Sequence, residues 1–172
     1  YWNDMGHPEY HVNVNLSVVQ LLQNDMKEKV REVLEETKMD PANLTLEVPE
    51  SLAINDMKRM KKILSDIKSL GVKVALDDFG TGYSSLNHIR ELPIDIIKID
   101  RCFIIDIGKD EYAEAFVKMV SELAETIGVR ICVEGVEETE QVEKLRSMKV
   151  QYIQGYYYGK PMRAEDFEKK YL

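Results

Sequence analysis

Cysteine is scarce in this chain of 172 residues: Cys102 and Cys132 stand far apart and show no CxxC spacing. That argues against a disulfide scaffold or a thiolate metal site, and both are expected to be buried thiols of a reducing cytoplasm. Long apolar runs are missing too. Nothing approaches the roughly 18 consecutive apolar residues of a membrane span, so no direct membrane contact is expected. The chain opens on Tyr1 rather than Met, and no basic stretch precedes an apolar one. It therefore shows no secretory signal and reads as a cytoplasmic piece of a larger parent, which a membrane anchor could carry. An excess of positive charge is also absent. With 23 Lys and Arg against 31 Asp and Glu the net charge is −8, which leaves no positive field for a DNA or RNA polymer. A small anionic ligand stays open, because metal ions recruit phosphate into carboxylate-lined sites. His7, His11 and His88 have no metal-ligand spacing.

What is present is alternation. Short β-branched runs recur at Val12 to Leu16, Leu44 to Val48, Val72 to Leu76, Ile94 to Ile99, Val129 to Val133 and, more weakly, Val150 to Ile153. Most are nearly continuous, as parallel strands covered on both sides should be. Between them lie helix-period stretches. Met26, Val30, Val33 and Leu34 share one face; Met57, Met60, Ile63, Leu64 and Ile67 repeat the pattern, as do Phe116, Val117, Val120, Leu123, Ala124 and Ile127. Gly71 and Gly128 are placed to end two of these helices. Repeated strand–helix units predict a parallel α/β fold, either an open doubly wound sheet or a closed barrel. No Gly-rich loop follows the first strand, which weakens the dinucleotide-binding form of the open sheet.

Nearly every run ends on a residue that can bind a cation or handle a proton. Asn15 ends the first, Glu47 falls near the end of the second, and Asp77 with Asp78 close the third. Lys98 interrupts an isoleucine run, Glu134 closes the fifth, and Gln154 closes the last. In a parallel barrel the C-terminal strand ends converge on the face where active sites are built. Hard oxygen donors without His or Cys suit Mg²⁺ or Mn²⁺ rather than zinc. Two successive carboxylates can serve two neighbouring cations, a pair able to clamp a phosphodiester. Lys98 could steady developing charge, and Glu134 could act as a base or further ligand. A single carboxylate at a strand end is more often an N-cap or a solvated turn residue. Recurrence across six units is what points to a metal-dependent site.

These strand ends resemble the EAL family. The segment Asp77-Asp78-Phe79-Gly80-Thr81-Gly82-Tyr83-Ser84-Ser85-Leu86 is similar to that family's most characteristic string. In the family's order stand Val14-Asn15-Leu16-Ser17, Leu46-Glu47-Val48-Pro49-Glu50-Ser51, Leu92-Pro93-Ile94-Asp95 with Ile97-Lys98-Ile99-Asp100-Arg101, Val133-Glu134-Gly135-Val136-Glu137, and Gln154-Gly155-Tyr156. The resemblance implies a TIM-type (β/α) barrel lacking its N-terminal part, with about six of the eight units of a standard barrel. Residues 1–11 would be an irregular lead-in, 12–161 the motif-bearing barrel portion and 162–172 a C-terminal helix, all in one partial domain. It further implies hydrolysis of cyclic-di-GMP to pGpG with two Mg²⁺ or Mn²⁺ ions, and inhibition by Ca²⁺. Asn15, Glu47 and Asp77 would be metal ligands, with Asp77 bridging and Asp78 on the second ion. Lys98 would contact the attacking water, and Glu134 would be general base or second-ion ligand. Glu137 and Gln154 would support the site. Phe79, Gly80, Thr81, Gly82, Tyr83, Ser84 and Ser85 would form a loop coupling metal binding to dimerisation, held by Glu50.

The family's Glu-Ala-Leu tripeptide, whose Glu ligates the first metal, and the Arg after it have no counterpart in this sequence. A catalytically inactive cyclic-di-GMP-binding or dimerisation module is therefore the alternative to an enzyme. A magnesium barrel of the enolase type, with Lys98 as base, is a third reading that fits the adjacent Asp77 and Asp78 less well. Open strand edges are expected to be covered by another copy, by a segment outside this sequence, or by self-association.

Overall fold

The computed structural model describes all residues except 1, 3, 4, 9, 52–56 and 83–85, and only the backbone of 86–88. Six strands form one sheet: β1 (Val12–Asn15), β2 (Leu44–Pro49), β3 (Lys73–Phe79), β4 (Ile96–Ile99), β5 (Arg130–Val133) and β6 (Tyr152–Ile153). They pair in sequence order and every pair is parallel. The helices are α1 (Val18–Leu21), α2 (Met26–Thr37), α3 (Met57–Lys68), α4 (Leu86–Glu91), α5 (Glu111–Ile127), α6 (Thr139–Ser147) and α7 (Ala164–Tyr171). This is the partial (β/α) barrel, with the sheet curled into a half-barrel.

Local sequence explains the joints. Ser17 caps α1 through a reciprocal pair with Gln20, and Asp110 caps α5 by accepting from the Tyr112 N–H. Gly128 ends α5 at φ 74°, a conformation that suits glycine. The third helix stops at Lys68, so Gly71 lies in the turn beyond it rather than directly at its end.

The core lies between the sheet and its helices. Leu46, Val48, Val74, Leu76, Ile97, Ile99, Ile131 and Val133 are buried against Leu21, Leu34, Leu64, Ile67, Val117, Val120 and Leu145. Burying side chains of this size contributes roughly 1.5–3 kcal/mol each. Two sequence expectations fail. Val33 is 52% exposed, because the buried stripe of α2 runs through Val30 and Leu34 alone. Cys102 is exposed as well: it sits in a 3₁₀ turn after β4, capped by Asp100, outside the sheet. Cys132 is buried as expected. Among the described residues no helix is long and apolar enough to cross a membrane.

Trp2 ties the lead-in to the far end of the chain. Its indole N–H donates to Glu168 on α7 at 2.8 Å, and its ring stacks on Phe167 with centroids 4.8 Å apart.

Candidate active site

Strand register decides which side chains share a face. Asn13 pairs with Thr45, Asn15 with Glu47, Glu47 with Ala75, and Pro49 with Asp77. Ala75 then pairs with Ile96, Lys98 with Cys132, and Cys132 with Tyr152. Residues directly opposite one another point the same way, and side chains alternate along each strand. Asn13, Asn15, Glu47, Asp77, Lys98, Glu134 and Gln154 therefore share the inner face, while the branched apolar residues between them face the helices. A cavity of about 240 Å³ on that inner face is lined by Asn13, Thr45, Lys98, Cys132, Tyr152 and Gln154, among others.

Lys98 is the hub. Its ammonium lies 2.8 Å from Glu47, 2.9 Å from Asp77 and 2.8 Å from Glu134, and the residue is only 3% exposed. Burial opposes its charge, yet the three carboxylates outweigh burial and raise its pKa above the ordinary 10.5. Burial pushes the Glu134 carboxyl up, and Asp77 and Glu47 add to the rise against the pull of Lys98.

Adjacent Asp77 and Asp78 could not share a face on a regular strand. A register shift between Leu76 and Phe79 and a φ of 55° at Asp78 turn the second carboxylate back toward the first. Left-handed backbone at a non-glycine residue is strained, and strain of this kind gathers at functional sites. One carboxylate oxygen from each of Asp77, Asp78 and Glu134 lies within 4.8 Å of the others. Burial first, then the Asp77 charge, raises the Asp78 pKa.

The donor set fits divalent cations. Three carboxylates contact one buried ammonium and a fourth, on the exposed Asp78, lies beside them, an excess of negative charge that bound cations would offset. Asp77 Oδ1 is buried and, although close to Lys98, has no hydrogen bond directed at it. A ligated cation would satisfy it. All these donors are hard oxygens, the set that suits hard divalent cations.

Glu50, 3% exposed, accepts from the backbone N–H groups of Gly80 and Gly82, each at 3.0 Å. Thr81 donates its hydroxyl to the Asp78 carbonyl at 2.8 Å. At Gly80, φ is 100° and an added Cβ would meet Phe103 at 2.5 Å and Phe116 at 2.7 Å, so only glycine fits. Phe79 is buried beside Phe116. Tyr83, Ser84 and Ser85 lie outside the described residues. Asn15 ends β1 opposite Glu47. Glu137 is exposed and lines a cleft with Arg101 and Gln141. Sequence reasoning missed Asn13, whose amide donates to Glu47 at 2.8 Å; its spacing of two from Asn15 was the available signal.

A model of the EAL domain family matches residues 1–161. MucR of Pseudomonas aeruginosa, a bifunctional diguanylate cyclase/cyclic di-GMP phosphodiesterase, is 38% identical over 164 residues. That match covers 95% of this chain but 24% of MucR, so the chain spans about a quarter of that relative's length. The solved c-di-GMP complex of the PaMucR phosphodiesterase superposes with a TM-score of 0.91 at 38% identity, covering 96% of this chain and 67% of that one. A manganese/cy-diGMP complex of Klebsiella pneumoniae BlrP1 gives a TM-score of 0.84 at 27% identity, covering 92% of this chain and 41% of that one.

Proposed function

The chain belongs to the EAL domain family, and on that premise we propose that it hydrolyses cyclic-di-GMP to the linear dinucleotide pGpG at the Lys98–carboxylate centre. The observation that carries this reading is the convergence of Glu47, Asp77 and Glu134 on one buried ammonium, with Asp78 turned in beside them. Asn15, Glu47, Asp77 and Asp78 would hold two Mg²⁺ or Mn²⁺ ions. Such ions, when bound, polarise a phosphodiester and lower the pKa of water. Glu134 takes the proton of the attacking water, or serves as a second-ion ligand. Lys98 orients that water, whose oxygen bonds to phosphorus as the bond from phosphorus to one ribose oxygen breaks. The leaving oxygen takes up a proton, and the cyclic dinucleotide opens. Glu137 and Gln154 support the rim, and the loop from Phe79 to Ser85, held by Glu50, links the site to a second copy. Ca²⁺ would occupy the site without supporting turnover.

Self-association through the sheet edges belongs to the same proposal. Val12 and Val14 on the terminal strand β1 are each 41% exposed, and a terminal strand favours pairing with another chain where its ladder is left open. Light scattering that found a stable, well-folded monomer at all concentrations would sink this part.

The deciding experiment follows cyclic-di-GMP by chromatography with Mn²⁺, beside Glu134→Ala, with binding measured in Ca²⁺. Turnover by the unaltered chain that falls at least about 100-fold in the variant is the expected result. A second reading is a dinucleotide-binding module that keeps the inner-face cavity lined by Asn13, Lys98 and Gln154 without turnover. Binding without turnover would select it. Neither binding nor turnover would overturn both.

A further inference from the structure

We propose that Asn13 is a positioning residue for Glu47, holding that carboxylate to ligation through one oxygen and so favouring Mn²⁺ or Mg²⁺ over Ca²⁺; this rests on the metal reading of the site given above. The Asn13 amide donates to Glu47 Oε1 at 2.8 Å, and the Lys98 ammonium reaches the same oxygen at 2.8 Å. Two donors fixed on Oε1 leave Oε2 as the oxygen open to a cation. Glu47 is only 5% exposed, whereas Asn13 is exposed on β1 and reaches it across a partly buried hydrogen bond. The two donors come from opposite sides, Asn13 on β1 and Lys98 on β4, so together they fix the orientation of the carboxylate between them.

Strand propensity does not explain an asparagine here. Asn is disfavoured in strands, and the neighbouring outward positions of β1 carry Val12 and Val14. The bland reading is a solvated amide on a terminal strand. Against it stands the partner, a buried acid rather than water. Groups that orient ligating carboxylates act on affinity without touching the metal, and their loss typically weakens it about 10- to 100-fold. The direction of selectivity follows from coordination preference. Mg²⁺-like ions require near-octahedral geometry, whereas Ca²⁺ accepts bidentate carboxylates and a looser shell. Without the Asn13 amide, Glu47 can swing to offer both oxygens, which harms the smaller ions and spares calcium.

Calorimetry of the whole chain with Mn²⁺ alone and Ca²⁺ alone tests this, using Asn13→Ala and, as control, Val14→Ala on the opposite face of β1. The expected result is a Mn²⁺ affinity about tenfold weaker in Asn13→Ala, a clearly smaller loss for Ca²⁺, and neither change in Val14→Ala. Unchanged Mn²⁺ affinity, equal losses for the two ions, or the same losses in Val14→Ala would each overturn the role of Asn13 while leaving the metal site standing. An unaltered chain that binds neither ion would overturn the metal reading and this inference with it.

Discussion

Lys98 on β4 reaches across β3 to lie 2.8 Å from Glu47 on β2. Contacts between alternate strands are how a curled parallel sheet layers its interior, and in this layer the packing is ionic rather than aliphatic. Removing one partner of a buried ionic cluster costs about 3–5 kcal/mol, because the remaining charges keep their desolvation penalty. Lys98→Met in chelator should therefore lower the melting temperature by roughly 10 °C. Mn²⁺ should restore most of that loss, since cations replace the missing positive charge, while hydrolysis stays abolished. Thermal unfolding with and without Mn²⁺ checks both halves; equal melting of variant and parent in chelator would mean that Lys98 is not the hub.

Glu50 gives a second case. Its carboxylate collects two backbone N–H groups from the segment after Asp78, and hydrogen bonds to a buried charge contribute about 1.5–3 kcal/mol each. Glu50→Ala should cost about 2–4 kcal/mol in urea unfolding, and Glu50→Gln, which keeps a carbonyl acceptor, distinctly less. Weaker Mn²⁺ binding should accompany the Ala variant, because the turn that holds Asp78 at φ 55° loses its anchor. A Gln variant as damaged as the Ala variant would show that the negative charge, not the acceptor, is what the turn needs.

Much of this architecture was legible in the chain itself. The strand–helix rhythm and the polar residue closing each strand are local patterns, and the pairs Thr45/Glu47, Ala75/Asp77 and Cys132/Glu134 already carry the two-residue spacing of one face. Features that depend on a departure from regularity were not legible. The bulge that brings Asp78 beside Asp77 needs left-handed backbone, which aspartate tolerates but a strand pattern does not announce. The three-way pairing of Lys98 depends on how strongly the sheet curls, a property of all six strands together. Cys102 was misread because its fate is decided by a turn rather than by hydrophobicity, and Val33 because a stripe through α2 is narrower than the apolar residues available to fill it.

At the opposite ends of the strands the electrostatics reverse. His11 precedes β1, Lys73 opens β3 and Arg130 opens β5. Burial first, then the Lys73 and Arg130 charges, lowers the His11 pKa below its ordinary 6.5, against an opposing backbone hydrogen bond to Ala42. A lowered folded-state pKa means that the unfolded chain binds the proton more readily. This stability contribution is full above pH 6.5 and is lost as the pH falls through the lower folded value. In an NMR titration His11 should have its midpoint below 6.5, and Lys73→Gln should move that midpoint upward. A midpoint that ignores Lys73→Gln would remove the repulsion from the account.

The lead-in and α7 make the last case. Trp2, the only tryptophan, stacks on Phe167, and Tyr10 meets both rings edge-on with centroids 6.2 Å and 5.5 Å away. The lead-in precedes β1 and α7 follows β6, so this aromatic cluster joins two segments from opposite ends of the chain. If it is part of the cooperative fold, tryptophan fluorescence and far-UV circular dichroism should trace the same urea transition in the unaltered chain. Phe167→Ala removes the stacking partner of a half-buried ring and should cost about 1–2 kcal/mol, below the 3–5 kcal/mol of a fully buried phenylalanine. In that variant the fluorescence transition should move to lower urea than the circular dichroism transition, because the clasp opens while the sheet and its helices persist. Coincident transitions in Phe167→Ala would mean that other contacts hold the lead-in to α7.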